Sequence, residues 1–221
     1  MNTTALLADL QALLGDGALL RDPAECLAYG YDNSRRHAQP LAVALPTERA
    51  QVQAIVRACR AHRVPLVARG RGTNTTGASV PSEGGVVLSF ERMNRLLDIR
   101  PGDRAAVVEP GLLNGELQQA LRAHGLGWPP DPTSAPYSTV GGNLACNAGG
   151  PRALKYGASR DNLLSQEGSV YCSAMVQHCF AAVGMQFANG LAIKNTMPED
   201  IAATTLPHRR YELVRERKGA A

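Results

Sequence analysis

Apolar positions recur along the first part of the chain with two different spacings. Leu6, Leu7, Leu10, Leu13 and Leu14 fall on one face of a helix, capped by Thr3 and Thr4 and stopped before Gly15. Val52, Ile55, Val56 and Cys59 repeat at i, i+3, i+4 and i+7, which predicts a second helix from Thr47 to about His62. A third aligns Leu113, Leu117, Ala120 and Leu121 and ends at Gly125. Short apolar runs of strand length separate them, at residues 41–46, 64–68 and 86–89. Two further strands are predicted around the Pro101-Gly102-Asp103 turn. This alternation through about residue 130 argues for an α+β or α/β domain.

From Trp128 to Gly157 the pattern vanishes. The stretch is dense in Gly, Pro, Ser, Thr and Asn, and no helix or strand period crosses it. Loops of this length inside a domain tend to be functional or disordered. Its paired glycines, Gly141-Gly142 and Gly149-Gly150, allow backbone amides to approach a ligand with no side chain between.

Composition narrows the classes. A chain of 221 residues, 44% hydrophobic and 19% charged, is that of a globular protein with one good-sized domain, or one and a fragment of another. The net charge of +4 suits an anionic small molecule and is too small to argue for nucleic acid. No apolar run approaches the roughly 20 residues of a membrane span, and the N-terminus lacks the basic start of a signal peptide. Five cysteines, odd in number and irregularly spaced, read as reduced thiols in a cytoplasmic protein. Cys172, His178 and Cys179 match no zinc spacing, so no metal site is expected.

The candidate chemistry starts at residues 68–79, ARGRGTNTTGAS, where a strand feeds a glycine loop. A Walker A loop needs a lysine where Ala78 follows Gly77. A dinucleotide fingerprint needs a third glycine two residues earlier than Gly77 and a helix to follow, but Pro81 and Gly84-Gly85 come instead. What remains is a loop of hydroxyls and free amides suited to a diphosphate. A tight turn with no ligand would call for the same glycines.

Three segments together resemble a known family. Residues 65–77 (PLVARGRGTNTTG), 129–134 (PPDPTS) and 138–157 (STVGGNLACNAGG…KYG) are similar to the FAD-binding domain of the p-cresol methylhydroxylase and vanillyl-alcohol oxidase type. Within it they most resemble the branch that holds D-lactate dehydrogenase and the D chain of glycolate oxidase. The resemblance implies an α+β fold of two small α/β subdomains, the second incomplete. It divides the chain into a helical lead-in (1–39), a partial FAD domain (40–164) and an unmatched tail (165–221) that ends in a charged helix or tail at 209–218. It also implies the site. Gly70, Arg71, Gly72, Thr73, Asn74, Thr75, Thr76 and Gly77 would wrap the pyrophosphate. Asp131, Pro132, Thr133 and Ser134, with Ser138, Thr139, Gly141, Gly142, Asn143, Ala148, Gly149 and Gly150, would line the pyrophosphate, ribityl chain and isoalloxazine edge. Tyr156 and Gly157 would lie near the flavin. Relatives with covalent flavin carry a histidine where Thr73 stands, so FAD is expected to be non-covalent.

In the complete enzyme, a hydride would pass from a small 2-hydroxy acid to the flavin. The chain is expected to be a truncated form lacking the substrate domain, with no nameable catalytic base and its own turnover in doubt. Partner oxidoreductase subunits are implied as well. The alternatives are a UDP-N-acetylenolpyruvoylglucosamine reductase-like flavoprotein, against which PPDPTS and the second glycine pair argue, and an inactive FAD-binding or interaction module. Arg69, Arg71 and Arg152 are candidate anion partners that exposure to solvent would explain equally well. Cys146 is expected to be a small buried filler, Trp128 a core residue, and His62 a helix end.

Overall fold

The structure, a computed structural model, describes residues 2–162. The tail helix predicted at 209–218 and the residues Cys172, His178 and Cys179 lie outside the described residues.

Helix α1 (Thr3–Leu14) takes in both predicted cap residues, and its cap lies one residue earlier. Asn2 is the N-cap, its side-chain oxygen accepting the Ala5 N–H at 3.1 Å. Two elements then occupy what the sequence pattern left as loop. Strand β1 (Leu19–Leu20) is too short to show alternation. Helix α2 (Pro23–Cys26) is capped by Asp22 with Pro23 in its first turn, and a 3₁₀ turn (Leu27–Tyr29) continues it. Strand β2 (Ala42–Ala44), helix α3 (Arg49–Ala61), strand β3 (Leu66–Arg69) and strand β4 (Val86–Ser89) follow as expected to within a few residues.

The strands form one sheet in the order β1-β2-β4-β3, with β4 parallel to both neighbours and β1 antiparallel to β2. Alternation along β2 and β4 separates its two faces. Ala42, Ala44, Val86 and Leu88 meet Leu6 and Leu10 of α1 and Ile55 and Cys59 of α3. Val43, Leu45 and Val87 face the other way, against Cys26, Leu20 and Tyr29. The N-terminal 39 residues therefore supply part of the core of the first subdomain. His62 closes α3, and its Nε2 lies 2.6 Å from the Asp9 carboxylate of α1.

The second subdomain has its own core. Hairpin strands β5 (Leu96–Arg100) and β6 (Ala105–Val108) turn at the predicted residues, with Arg104 at φ 51° closing the turn. Helix α4 (Asn114–Arg122) lays Leu117 and Leu121 against Leu112, Val140 and the hairpin. The region with no legible period contains two more helices, α5 (Val140–Cys146) and α6 (Ala153–Tyr156), before a final 3₁₀ turn (Ser159–Asn162). Two glycines in the first turn of α5 disfavour a helix by about 1 kcal/mol each, which hid it from the pattern. Packing restores it: Val140 and Leu144 join the second core, and Thr139 Oγ1 caps the turn by accepting the Gly142 N–H at 3.1 Å.

Candidate functional site

Residues 70–85 connect β3 to β4, and the glycine loop opens this connection. Its geometry begins under the loop, with Arg69. That side chain is not solvated, as one sequence reading allowed, but buried: Nη1 donates to the Tyr31 carbonyl at 2.7 Å and Nη2 to the Ala28 carbonyl at 3.2 Å. Burial pulls the guanidinium pKa down, and the charge of Asp32 is the foremost influence opposing that. Gly72 crosses directly over it. A Cβ there would stand 2.4 Å from Nη2, and φ of 66° would strain any other residue.

The five consecutive amides that follow are unusual. Among the described residues, the N–H groups of Arg71, Gly72, Thr73, Asn74 and Thr75 find no hydrogen-bond acceptor. A run of unpaired backbone donors over a buried cation is a cradle for an anion. The remaining side chains brace the loop. Asn74 Oδ1 accepts from the N–H and hydroxyl of Thr76, and Asn74 Nδ2 donates to Ser79 Oγ at 2.8 Å.

The third motif meets this loop, and the second motif meets the third. At Gly70 a Cβ would lie 2.5 Å from Thr139 Oγ1 and 3.7 Å from Gly142 Cα, so the first loop rests on the start of α5. Residues 131–134 fold against the second glycine pair. The Asp131 N–H donates to the Gly149 carbonyl at 2.8 Å, and a Cβ on Gly150 would strike the Asp131 carbonyl. Arg152, which is exposed, stands 3.5 Å from the half-buried Asp131 carboxylate. The Ser134 carbonyl accepts the N–H groups of Tyr137 and Ser138. The Pro132 carbonyl accepts from Ala135, while Thr133 is exposed to solvent.

The glycine pair at the head of α5 has a structural duty. Gly141 presses on Pro110, where any Cβ would come within 2.6 Å, and its N–H donates to the Pro110 carbonyl. Together with the Thr139 cap, this means that the first amides of α5 are already engaged. Ser138 differs. Its hydroxyl is buried with no partner among the described residues, 2% exposed at the point where α5 begins.

A buried asparagine organises the rest. Asn114, absent from the residues that the sequence motifs suggested, accepts at Oδ1 from Trp128 Nε1 (2.8 Å) and Asn143 Nδ2 (3.0 Å). Its own Nδ2 donates to the Pro130 carbonyl at 3.3 Å. Asn143 therefore spends its side chain on holding α5, and Trp128 packs in the second core as expected. Asp32 is a second residue that the pattern missed, since single polar residues in loops carry no periodic signal.

Farther along, the Ala148 carbonyl accepts from the N–H and hydroxyl of Ser159, which holds the final 3₁₀ turn against the end of α5. Tyr156 is half exposed with Lys155 Nζ 4.9 Å over its ring, and Gly157 (φ 79°) ends α6 above Asp161. Cys146 is exposed at the last residue of α5, correcting the buried reading: the helix buries only Val140 and Asn143. A cavity of about 120 Å³ opens between the subdomains, lined by Arg71, Glu91, Asn94, Gly111, Leu113 and Glu116. Among the described residues, no cluster of His, Cys, Asp or Glu could hold a metal, and no helix is long and apolar enough to cross a membrane.

Two α/β subdomains thus meet over a glycine loop whose backbone donors are free among the described residues. The chain belongs to the FAD binding domain family, whose sequence profile matches residues 40–168. It is 42% identical to the glycolate oxidase protein GlcD of Bacillus subtilis, over 64% of this chain and 30% of that protein. It is 41% identical to D-2-hydroxyglutarate dehydrogenase of Stutzerimonas stutzeri, over 73% of this chain and 35% of the relative. It thus spans about a third of the curated relatives it matches. Among solved structures, substrate-bound p-cresol methylhydroxylase superposes with a TM-score of 0.57 and 25% identity, over 66% of this chain and 29% of the other. The p-cresol methylhydroxylase-type fold read from the sequence motifs is the one observed.

Proposed function

We propose that this chain holds FAD non-covalently and forms the flavin-holding part of a dehydrogenase or oxidase acting on a small 2-hydroxy acid. The observation that carries the reading is the run of unpaired amides at residues 71–75 over the buried Arg69 guanidinium. Such donors stabilise a pyrophosphate without side-chain rearrangement. The partnerless Ser138 hydroxyl fits the same group, because a bound cofactor would supply the acceptor or donor that the protein does not. Bound FAD would supply hydride acceptance, which no side chain can. The chain's own residues do the holding. Amides 71–75 take the diphosphate charge, and the contacts Gly70–Thr139 and Asp131–Gly149 keep the motifs in register. Thr73 gives no imidazole for a covalent bond.

The 2-hydroxy-acid assignment rests on the named activities of the relatives, whose remaining two thirds would contribute substrate binding. A cytoplasmic location and partner subunits belong to the same proposal. The test is the visible spectrum of the purified 221-residue chain, before and after incubation with FAD and gel filtration. Flavin bands that co-elute with protein, and that acid precipitation releases into the supernatant, are expected. A folded chain that elutes without flavin would sink the reading. Dye reduction with glycolate, D-lactate and D-2-hydroxyglutarate then assays turnover.

A further inference from the structure

We propose that Asp32 is a positioning residue for the glycine loop: from outside the residues matched by the family profile, it anchors a latch that sets the direction of the loop's amides. The inference rests on the reading that this loop takes the FAD diphosphate.

The latch is continuous. Asp32 is 6% exposed; its Oδ1 accepts the Ser34 N–H at 2.8 Å and its Oδ2 accepts from Ser79 Oγ at 3.3 Å. Ser79 Oγ in turn accepts from Asn74 Nδ2, in the middle of the loop. Burial alone would raise the Asp32 pKa, but the bonds from Ser34 and Ser79 outweigh it and hold the carboxyl below its ordinary range. The next residue adds two bonds. The Asn33 N–H donates to the Asn74 carbonyl at 3.1 Å, and Asn33 Nδ2 donates to the Thr73 carbonyl at 3.3 Å.

Those two carbonyls decide the rest. In a planar trans peptide the carbonyl of one residue and the N–H of the next point in opposite directions, and no peptide bond here is cis. Pinning the Thr73 carbonyl to Asn33 turns the Asn74 N–H away from residues 32–34. Pinning the Asn74 carbonyl does the same to the Thr75 N–H. Two of the five free donors are thereby aimed before any ligand arrives. Asp32 also sets a negative charge near Arg69, the buried cation beneath Gly72.

Asp32→Ala, Asp32→Asn and Ser79→Ala in the full chain test this, read by FAD titration of flavin fluorescence and by deuterium uptake of residues 71–79 without FAD. Asp32→Ala is expected to weaken FAD by about tenfold or more, on the scale of one to two lost hydrogen bonds, and to speed uptake at 73–79. Asp32→Asn, which keeps the shape, recovers most of the affinity. An Asp32→Ala protein that binds FAD within twofold of the parent, or whose uptake at 71–79 is unchanged, overturns the proposal. Should the parent bind no FAD, the cofactor reading fails, while the uptake comparison still decides the latch. Should Asp32→Ala not fold, Ser79→Ala leaves the carboxylate and breaks only the bridge, and the same two readouts apply.

Discussion

Three polar contacts of the second subdomain converge on the Asn114 side chain. A side-chain amide can accept at its oxygen and donate twice from its nitrogen; here the oxygen takes both Trp128 Nε1 and Asn143 Nδ2. Asn114→Ala leaves the buried Asn143 amide and the partly buried Trp128 indole without an acceptor, at up to about 1–3 kcal/mol each. We expect a loss of roughly 2–4 kcal/mol, less than the simple sum because α5 can relax. Trp128 is the only tryptophan in the chain, so urea denaturation followed by its fluorescence reads the site directly. A midpoint unchanged from the parent would mean that the hub carries no net energy.

At the scale of elements, the entry into β5 is tied to the residue after β6 by one carboxylate. Glu109 accepts the Arg95 N–H at 2.8 Å and the Arg95 guanidinium at 2.6 and 3.1 Å. The bonds from Arg95 outweigh burial and hold the Glu109 pKa below its ordinary value. A depressed folded pKa contributes stability that is present above the unfolded pKa of about 4.3. That contribution is lost as pH falls through the lower folded value. Asp32 acts in the same direction. Unfolding midpoints should therefore be insensitive to these groups between about pH 5 and 7 and should fall below about pH 4. Glu109→Gln should start less stable at pH 7 and lose less on acidification. Parallel acid profiles for the two proteins would show that Glu109 is not a source of the pH dependence.

For the whole molecule, the question is whether the family-matched span stands alone. Leu6 and Leu10 of α1 are fully buried against the sheet and α3, although they precede residue 40. Each buried leucine contributes about 1.5–3 kcal/mol. That sum is a large fraction of the roughly 5–15 kcal/mol that domains retain. Removing residues 1–14 should give a chain that aggregates or melts at least about 6 °C lower, at roughly 2–4 °C per kcal/mol. A shortened chain with an unchanged melting curve would show that α1 merely decorates the sheet.

Much of this protein was legible without coordinates wherever a single physical signal repeats. Apolar spacing located α1, α3, α4 and the strands β2, β3 and β4, because burying one face demands that spacing. The three motifs, taken together, carried the resemblance to the family. Tertiary structure alone decided the rest. Helix α5 exists against the local preference of its glycines, because packing and a threonine cap outweigh propensity. Arg69 is buried rather than solvated because two distant carbonyls, at Ala28 and Tyr31, come to meet it. Asp32 and Asn114 gain their roles only when segments 14 to 47 residues away close on them. Sequence encodes what each residue can bond to, and the fold alone brings the partner within reach.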